Sequence, residues 1–106
     1  MILFIDTTDF NKVTYVLIGD RVIKKVFKVD PHKSHETLQK LEGFFKQSKI
    51  LNLKSKISKI IVNKGPGSYT GTRVGVTHAL ALGFAWSAPV KALAKEKFES
   101  ELKKRP

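Results

Sequence analysis

Residues Lys64 to Gly75 read K-G-P-G-S-Y-T-G-T-R-V-G, and they follow the apolar run Ile60-Ile61-Val62. An apolar stretch free of proline then continues to Pro89. This succession predicts a strand, a tight turn and a helix N-terminus. A glycine-rich turn feeding a helix can cradle an anion, because unpaired backbone N–H groups point outward there. The same glycines can instead supply positive φ and close packing. The spacing speaks against a phosphate loop. No lysine follows the final glycines, as G-x-x-x-x-G-K-[ST] would demand. Gly65, Gly67 and Gly71 miss G-x-G-x-x-G by one residue. Arg73 is the only cation at the helical end of the loop.

In the helix that follows, Gly71, Gly75, Ala79 and Gly83 recur at every fourth position. Side chains four apart share a helix face, so one face is a stripe of almost no side chain. Glycine costs about 1 kcal/mol against alanine inside a helix, which close approach of another backbone can offset. That backbone belongs either to the protein's own sheet or to a helix of another subunit. Val74, Leu80, Leu82, Phe84 and Trp86 occupy the other faces. A helix apolar nearly all round is covered on more than one side, which favours an outside partner. His78 reads as a polar contact at the rim.

A chain of 106 residues suffices for one domain with a modest core. With 42% hydrophobic and 9% aromatic residues it is expected to fold. The absence of cysteine excludes a disulfide framework and thiolate chemistry. No segment has the apolar length of a membrane span, and the apolar start Ile2-Leu3-Phe4-Ile5 lacks a preceding basic region. A cytoplasmic location is the expectation. The formal net charge of +11 points to polyanions. The cations are mostly scattered lysines, with arginine only at Arg21, Arg73 and Arg105. This suits weak, non-specific attraction to RNA rather than base readout, or a lysine-rich surface with no such role.

Along the chain, Met1 to Asp6 predicts a strand ending on the polar turn Asp6-Thr7-Thr8-Asp9. Lys12 to Ile18 alternates, with Val13, Tyr15 and Leu17 on one face, and Gly19-Asp20 signals a hairpin. Val22 to Val29 is a third strand with lysines on its outer face, stopped by Asp30-Pro31. Ser34 can cap a helix reaching about Ser48, buried through Leu38, Leu41 and Phe45. A basic connection, Lys49 to Ser58, leads into a fourth strand at Ile57 to Asn63. Pro89 to Leu93 is a short fifth strand, and Ala94 to Arg105 a charged helix with Phe98 and Leu102 four apart. The order β-β-β-α-β-α-β-α predicts an α/β fold. It is a single ribonuclease H-like lobe over residues 1–106, with helices on a mixed five-stranded sheet. The same lobe is doubled in the actin-like ATPase superfamily, where nucleotide lies between two lobes.

Ile5-Asp6-Thr7-Thr8, His35 at the first helix, and above all Gly65-Pro66-Gly67-Ser68-Tyr69-Thr70-Gly71 with Arg73 and Gly75 resemble the TsaB family, also called YeaZ. Tyr69 stands where the family pattern has phenylalanine, and Ala88-Pro89-Val90 falls at its fifth strand. The resemblance implies a scaffold subunit of the machinery that makes threonylcarbamoyladenosine at position 37 of transfer RNA. It implies no catalysis by this chain alone, a TsaD-like catalytic partner and a TsaE-like ATPase. Typical members continue into a second lobe that this sequence does not show, so ATP and Mg are expected only at an assembled complex. The expected interface comprises Leu38, Phe44, Phe45 and Val74 around the stripe Gly71, Gly75, Ala79 and Gly83, facing a TsaD-like subunit or a second copy. By analogy with the superfamily's first phosphate loop, Asp6, Thr7 and Thr8 are candidates for a nucleotide-phosphate contact. Transfer RNA is expected to be met through the complex, with weak direct electrostatic binding.

The competing reading is a ribonuclease H-like, metal-dependent nuclease acting on RNA or junction DNA. It needs several carboxylates around two metal ions. Asp6 supplies the first and Glu36 or Glu42 the second, but the end of the fourth strand carries Asn63. A neutral amide holds Mg²⁺ far less well than a carboxylate. Glu96, Glu99 and Glu101 fall on a charged surface helix. His32 and His35, three apart with Lys33 between them, make a poor metal site. Ser68 lacks the G-x-S-x-G context of a hydrolase. Thr7 and Thr8 read most simply as satisfying turn N–H groups.

Overall fold

The computed structural model describes residues 1–30, 35–47 and 57–104. Ser34, His32 and most of the basic connection lie outside the described residues, as does the side chain of His35. The elements run β1 (Ile2–Asp6), β2 (Lys12–Ile18), β3 (Val22–Lys28), α1 (His35–Gln47), β4 (Lys59–Asn63), α2 (Tyr69–Trp86), β5 (Val90–Leu93) and α3 (Lys95–Lys103). They form a five-stranded sheet in the order β3-β2-β1-β4-β5. The three N-terminal strands pair antiparallel, while β1–β4 and β4–β5 pair parallel. This is the mixed sheet of a single ribonuclease H-like lobe, as the element order implies.

The central strands carry unbroken apolar runs because both of their faces are covered. Leu3, Phe4 and Ile5 on β1 and Ile60, Ile61 and Val62 on β4 are all buried. Alternate residues divide them between two cores. Leu3, Ile5, Val13, Tyr15, Leu17, Ile60 and Val62 meet α1 and α2. Phe4, Val16 and Ile61 meet Phe98 of α3. Phe98 packs edge-on to Phe4, with ring centroids 5.7 Å apart. β3 is an edge strand, and register places Lys24 and Lys28 on the α3 side beside Val22 and Val26. Edge lysines discourage pairing with another chain. Ile23 and Phe27 point the other way, onto the larger core.

Helix α1 departs from the expected burial. Leu41, Phe44 and Phe45 face inward, but Leu38 is 44% exposed. Thr37 takes the inward position instead. Its carbonyl accepts a 3.0 Å hydrogen bond from the buried Tyr15 hydroxyl. With Thr37, Leu41, Phe44 and Phe45 on the buried face, Leu38 is left facing outward. Burial without a charged partner pushes the Tyr15 phenol well above its ordinary pKa. The Tyr15 ring lies 5.6 Å from Phe44, and Phe45 lies 5.4 Å from Trp86, which joins α1 to α2.

Candidate partner-binding site

The glycine motif is a seat for backbone. Gly65 has φ of +96°, follows the end of β4, and donates its N–H to Asn63 Oδ1 at 2.9 Å. Only glycine adopts that φ readily. The Gly65 carbonyl accepts from Lys95 N at 2.8 Å, tying the loop to α3, and Ser68 N donates to the Thr8 carbonyl at 2.7 Å. Ser68 Oγ then accepts from Gly71 N at 3.3 Å as the N-cap of α2. The expected strand, tight turn and helix N-terminus are therefore present, and Ser68 is the cap that the structure adds.

The small stripe faces inward. A Cβ on Gly67 would strike Thr8, one on Gly71 the Thr7 carbonyl, and one on Gly75 the Thr7 hydroxyl. A Cβ on Gly83 would strike Val90 of β5 and the Ala88 carbonyl. Ala79 is fully buried. Of the two partners open to this stripe, the protein's own sheet and turn are the ones it meets. The expected interface is corrected accordingly. Phe44, Phe45, Gly75, Ala79 and Gly83 are buried within the lobe, and Gly71 abuts Thr7. Of the eight residues Leu38 and the half-buried Gly71 and Val74 retain accessible surface. The physical reason is that a sheet twisting under a helix needs one ridge of close approach, and these residues supply it.

The same packing changes the reading of Asp6, Thr7 and Thr8. Thr7 and Thr8 are 1% and 3% exposed beneath the glycine loop. The Thr7 hydroxyl donates to the Gly71 carbonyl. The Thr8 hydroxyl and N–H both donate to Asp6 Oδ1, at 2.7 and 3.0 Å. Both hydroxyls are committed inside the lobe, so neither is presented to a phosphate. The candidate nuclease carboxylates do not converge either. Asp6 is committed to Thr8, Glu36 Oε1 accepts from Asp30 N at 3.3 Å, and Glu42 is exposed. Among the described residues no group of three or more His, Asp or Glu is arranged to hold a metal ion.

What the lobe leaves open is the outer face of α2. Thr77, Leu80, Ala81, Phe84 and Ala85 are exposed there, Leu80 by 57% and Phe84 by 91%. Among the 18 residues of α2, Arg73 is the one with a formal charge. A solvent-facing helix surface is ordinarily polar, and a phenylalanine this exposed beside a leucine makes this face the candidate interaction surface of the lobe. Next to it, Thr70, Arg73, Val74, Thr77 and His78 line a depression of about 310 Å³. Burial pushes the His78 imidazole below its ordinary pKa, and its Nδ1 has no hydrogen-bond partner among the described residues. The sequence singles out Leu80 and Phe84 as able to bury but does not assign them to the interface. The missing signal was the near-absence of charge along the whole helix. Ser87 ends α2 in the left-handed region at φ 53°, with Ala88 N donating to the Gly83 carbonyl at 2.9 Å. Among the described residues no helix is long and apolar enough to cross a membrane.

Comparison with known proteins places this arrangement. The family model described as TsaD, tRNA N6-adenosine threonylcarbamoyltransferase, matches residues 32–95. The "tRNA threonylcarbamoyladenosine biosynthesis protein TsaB" of Bacillus subtilis (strain 168) is 53% identical over 38 residues, 36% of this chain and 17% of that protein. Among solved structures, YeaZ from Pseudomonas aeruginosa superposes with a TM-score of 0.74 at 22% identity, over 88% of this chain and 44% of its own. A second, described as an uncharacterized protein with similarity to peptidase YEAZ from Pseudomonas aeruginosa, gives 0.75 at 21% identity over 88% and 42%. The chain thus spans less than half the length of the proteins it matches. It belongs to the family that the threonylcarbamoyltransferase model defines, and it is similar to TsaB over a short stretch of sequence and to YeaZ in its fold.

Proposed function

We propose that this chain acts in the biosynthesis of threonylcarbamoyladenosine on transfer RNA as a non-catalytic, partner-binding lobe. Its partner is a TsaD-like catalytic subunit. The observation that carries this reading is the exposed outer face of α2, whose one formal charge is Arg73, with Phe84 91% and Leu80 57% open to solvent. Burying a phenylalanine or leucine contributes about 1.5–3 kcal/mol, so two such anchors form the core of a binding site. Leu38 and Val74 extend the apolar surface towards α1. The names of the matched family and relative supply the pathway and the choice of partner.

The chain contributes surface rather than chemistry in this reading. ATP and Mg belong to the assembled complex, a TsaE-like ATPase joins it there, and the assembly works in the cytoplasm. The test is reconstitution. Purified chain and the TsaD-like protein of the same organism are mixed, and mass is read by sedimentation alongside modification of transfer RNA. A stoichiometric complex, with threonylcarbamoyladenosine formed only when both are present, is the expected result. A lobe that stays monomeric beside its partner refutes the reading. A lobe that pairs only with itself shows that the face serves a second copy. Metal-dependent cleavage of RNA by the chain alone, lost in Asp6→Ala, would establish the nuclease instead.

A further inference from the structure

The opposite side of the sheet carries a feature that the helix face does not use. Lys59 on β4 and Lys91 on β5 share the α3 side, since Ile61 of β4 pairs with Lys91 and lies two residues from Lys59. Lys97 and Lys104 come from α3 and its C-cap, seven apart and so on one helix face. With Ser100 and Glu101 between them, these lysines ring a cavity of about 360 Å³ floored by the sheet. Four ammonium groups face a single carboxylate there. Lys104 Nζ lies 3.9 Å from Glu101, and its side chain is 69% exposed. A solvated pair of this kind offsets little of the surrounding positive charge. Four like charges around one depression raise the local potential and draw in a polyanion.

We propose that this cavity seats the phosphate backbone of RNA. Its length favours a chain of phosphates over a single one, because Lys97 and Lys104 alone span roughly 10 Å along the helix. The donors are lysine ammonium groups and the Ser100 hydroxyl, which meet phosphate oxygens as point contacts. Among the described residues no arginine lines it, and bidentate reading of a base edge is an arginine habit. The site therefore positions RNA without reading sequence. RNA rather than an acidic protein is the occupant favoured by the family match, whose description is of a transfer-RNA-modifying transferase. The inference does not depend on which protein covers α2. The remaining lysines of this sheet face provide an internal control. Register puts Lys24 of β3 in the same row as Lys91, four strand spacings or about 19 Å away.

The experiment measures affinity of the full chain for transfer RNA across a salt series, with polyglutamate as a competing polyanion. Lys59→Gln/Lys91→Gln/Lys97→Gln is compared with Lys24→Gln/Lys28→Gln, and circular dichroism establishes that both stay folded. The cavity variant is expected to lose at least about tenfold in affinity at low salt, and its log–log salt slope to fall by roughly 2 to 3 as its phosphate contacts disappear. The β3 variant should change little, and polyglutamate should compete poorly. Equal losses from the two variants would show attraction spread over the whole lysine surface and overturn the proposal. Binding of polyglutamate as tight as that of RNA would overturn it in favour of an acidic protein segment.

Discussion

The two faces of α2 are apolar for opposite reasons. On the inner face side chains are missing, at Gly71, Gly75, Ala79 and Gly83, because the Thr7 turn and Val90 occupy the space where they would stand. On the outer face large side chains are present, at Leu80 and Phe84, and they are exposed by 57% and 91%. A hydrophobicity profile does not separate these faces. Side-chain volume does: small residues mark contact made within the fold, and large exposed ones mark the surface proposed for a partner. Substitutions should therefore unfold the lobe on one face and leave it folded on the other.

The largest effect is expected in the core that joins α1 to the sheet. Phe44 is fully buried against Tyr15, so Phe44→Ala should cost about 3–5 kcal/mol in chemical denaturation. A cost below 1 kcal/mol would mean that α1 stands off the sheet and that Phe44 is free for a partner. Next comes the stripe. Gly75→Leu drives a side chain into the Thr7 hydroxyl, and overpacking of this kind typically costs about 1–3 kcal/mol, occasionally more. A folded Gly75→Leu variant of parental stability would place the stripe outward and reverse the comparison.

A smaller effect concerns His78, at the border between the two faces. Its pKa is lowered in the fold by burial, whereas the unfolded chain titrates near the ordinary value of about 6.5. Below that value the unfolded state binds the additional proton, so stability falls as pH drops from about 6.5 towards the lowered folded pKa. Above it the difference vanishes. His78→Gln should flatten that part of a plot of melting temperature against pH. An unchanged slope would assign the acid sensitivity to another group.

Much of the fold was legible because strong local signals agree with tertiary context. The Ile60-Ile61-Val62 run, the glycine turn and the Phe98–Leu102 pair each specify one element, and each is found within a residue or two of its expected limits. The site was less legible. Periodicity puts Leu38 on the buried side of α1, but Thr37 takes the inward position beside Leu41, Phe44 and Phe45, and Leu38 is exposed. The resemblance assigned Phe44 and Phe45 to an interface, yet the first helix of so small a lobe must first cover its own sheet. Thr7 and Thr8 read in sequence as turn residues, with a phosphate contact only by analogy with the superfamily. Their burial depends on a loop some sixty residues later, which only the three-dimensional structure brings onto them.

The most direct measurement is calorimetric titration of the TsaD-like subunit with Leu80→Glu and Phe84→Glu variants of this chain, each checked for an unchanged denaturation midpoint. A charge placed on an exposed face leaves the lobe folded, whereas in a closed interface it is buried without a partner. The expected result is parental stability together with binding weakened roughly thirtyfold or more, the loss of a single central anchor of about 2 kcal/mol. Two folded variants that bind as tightly as the parent would contradict the assignment of the outer face of α2 as the docking surface.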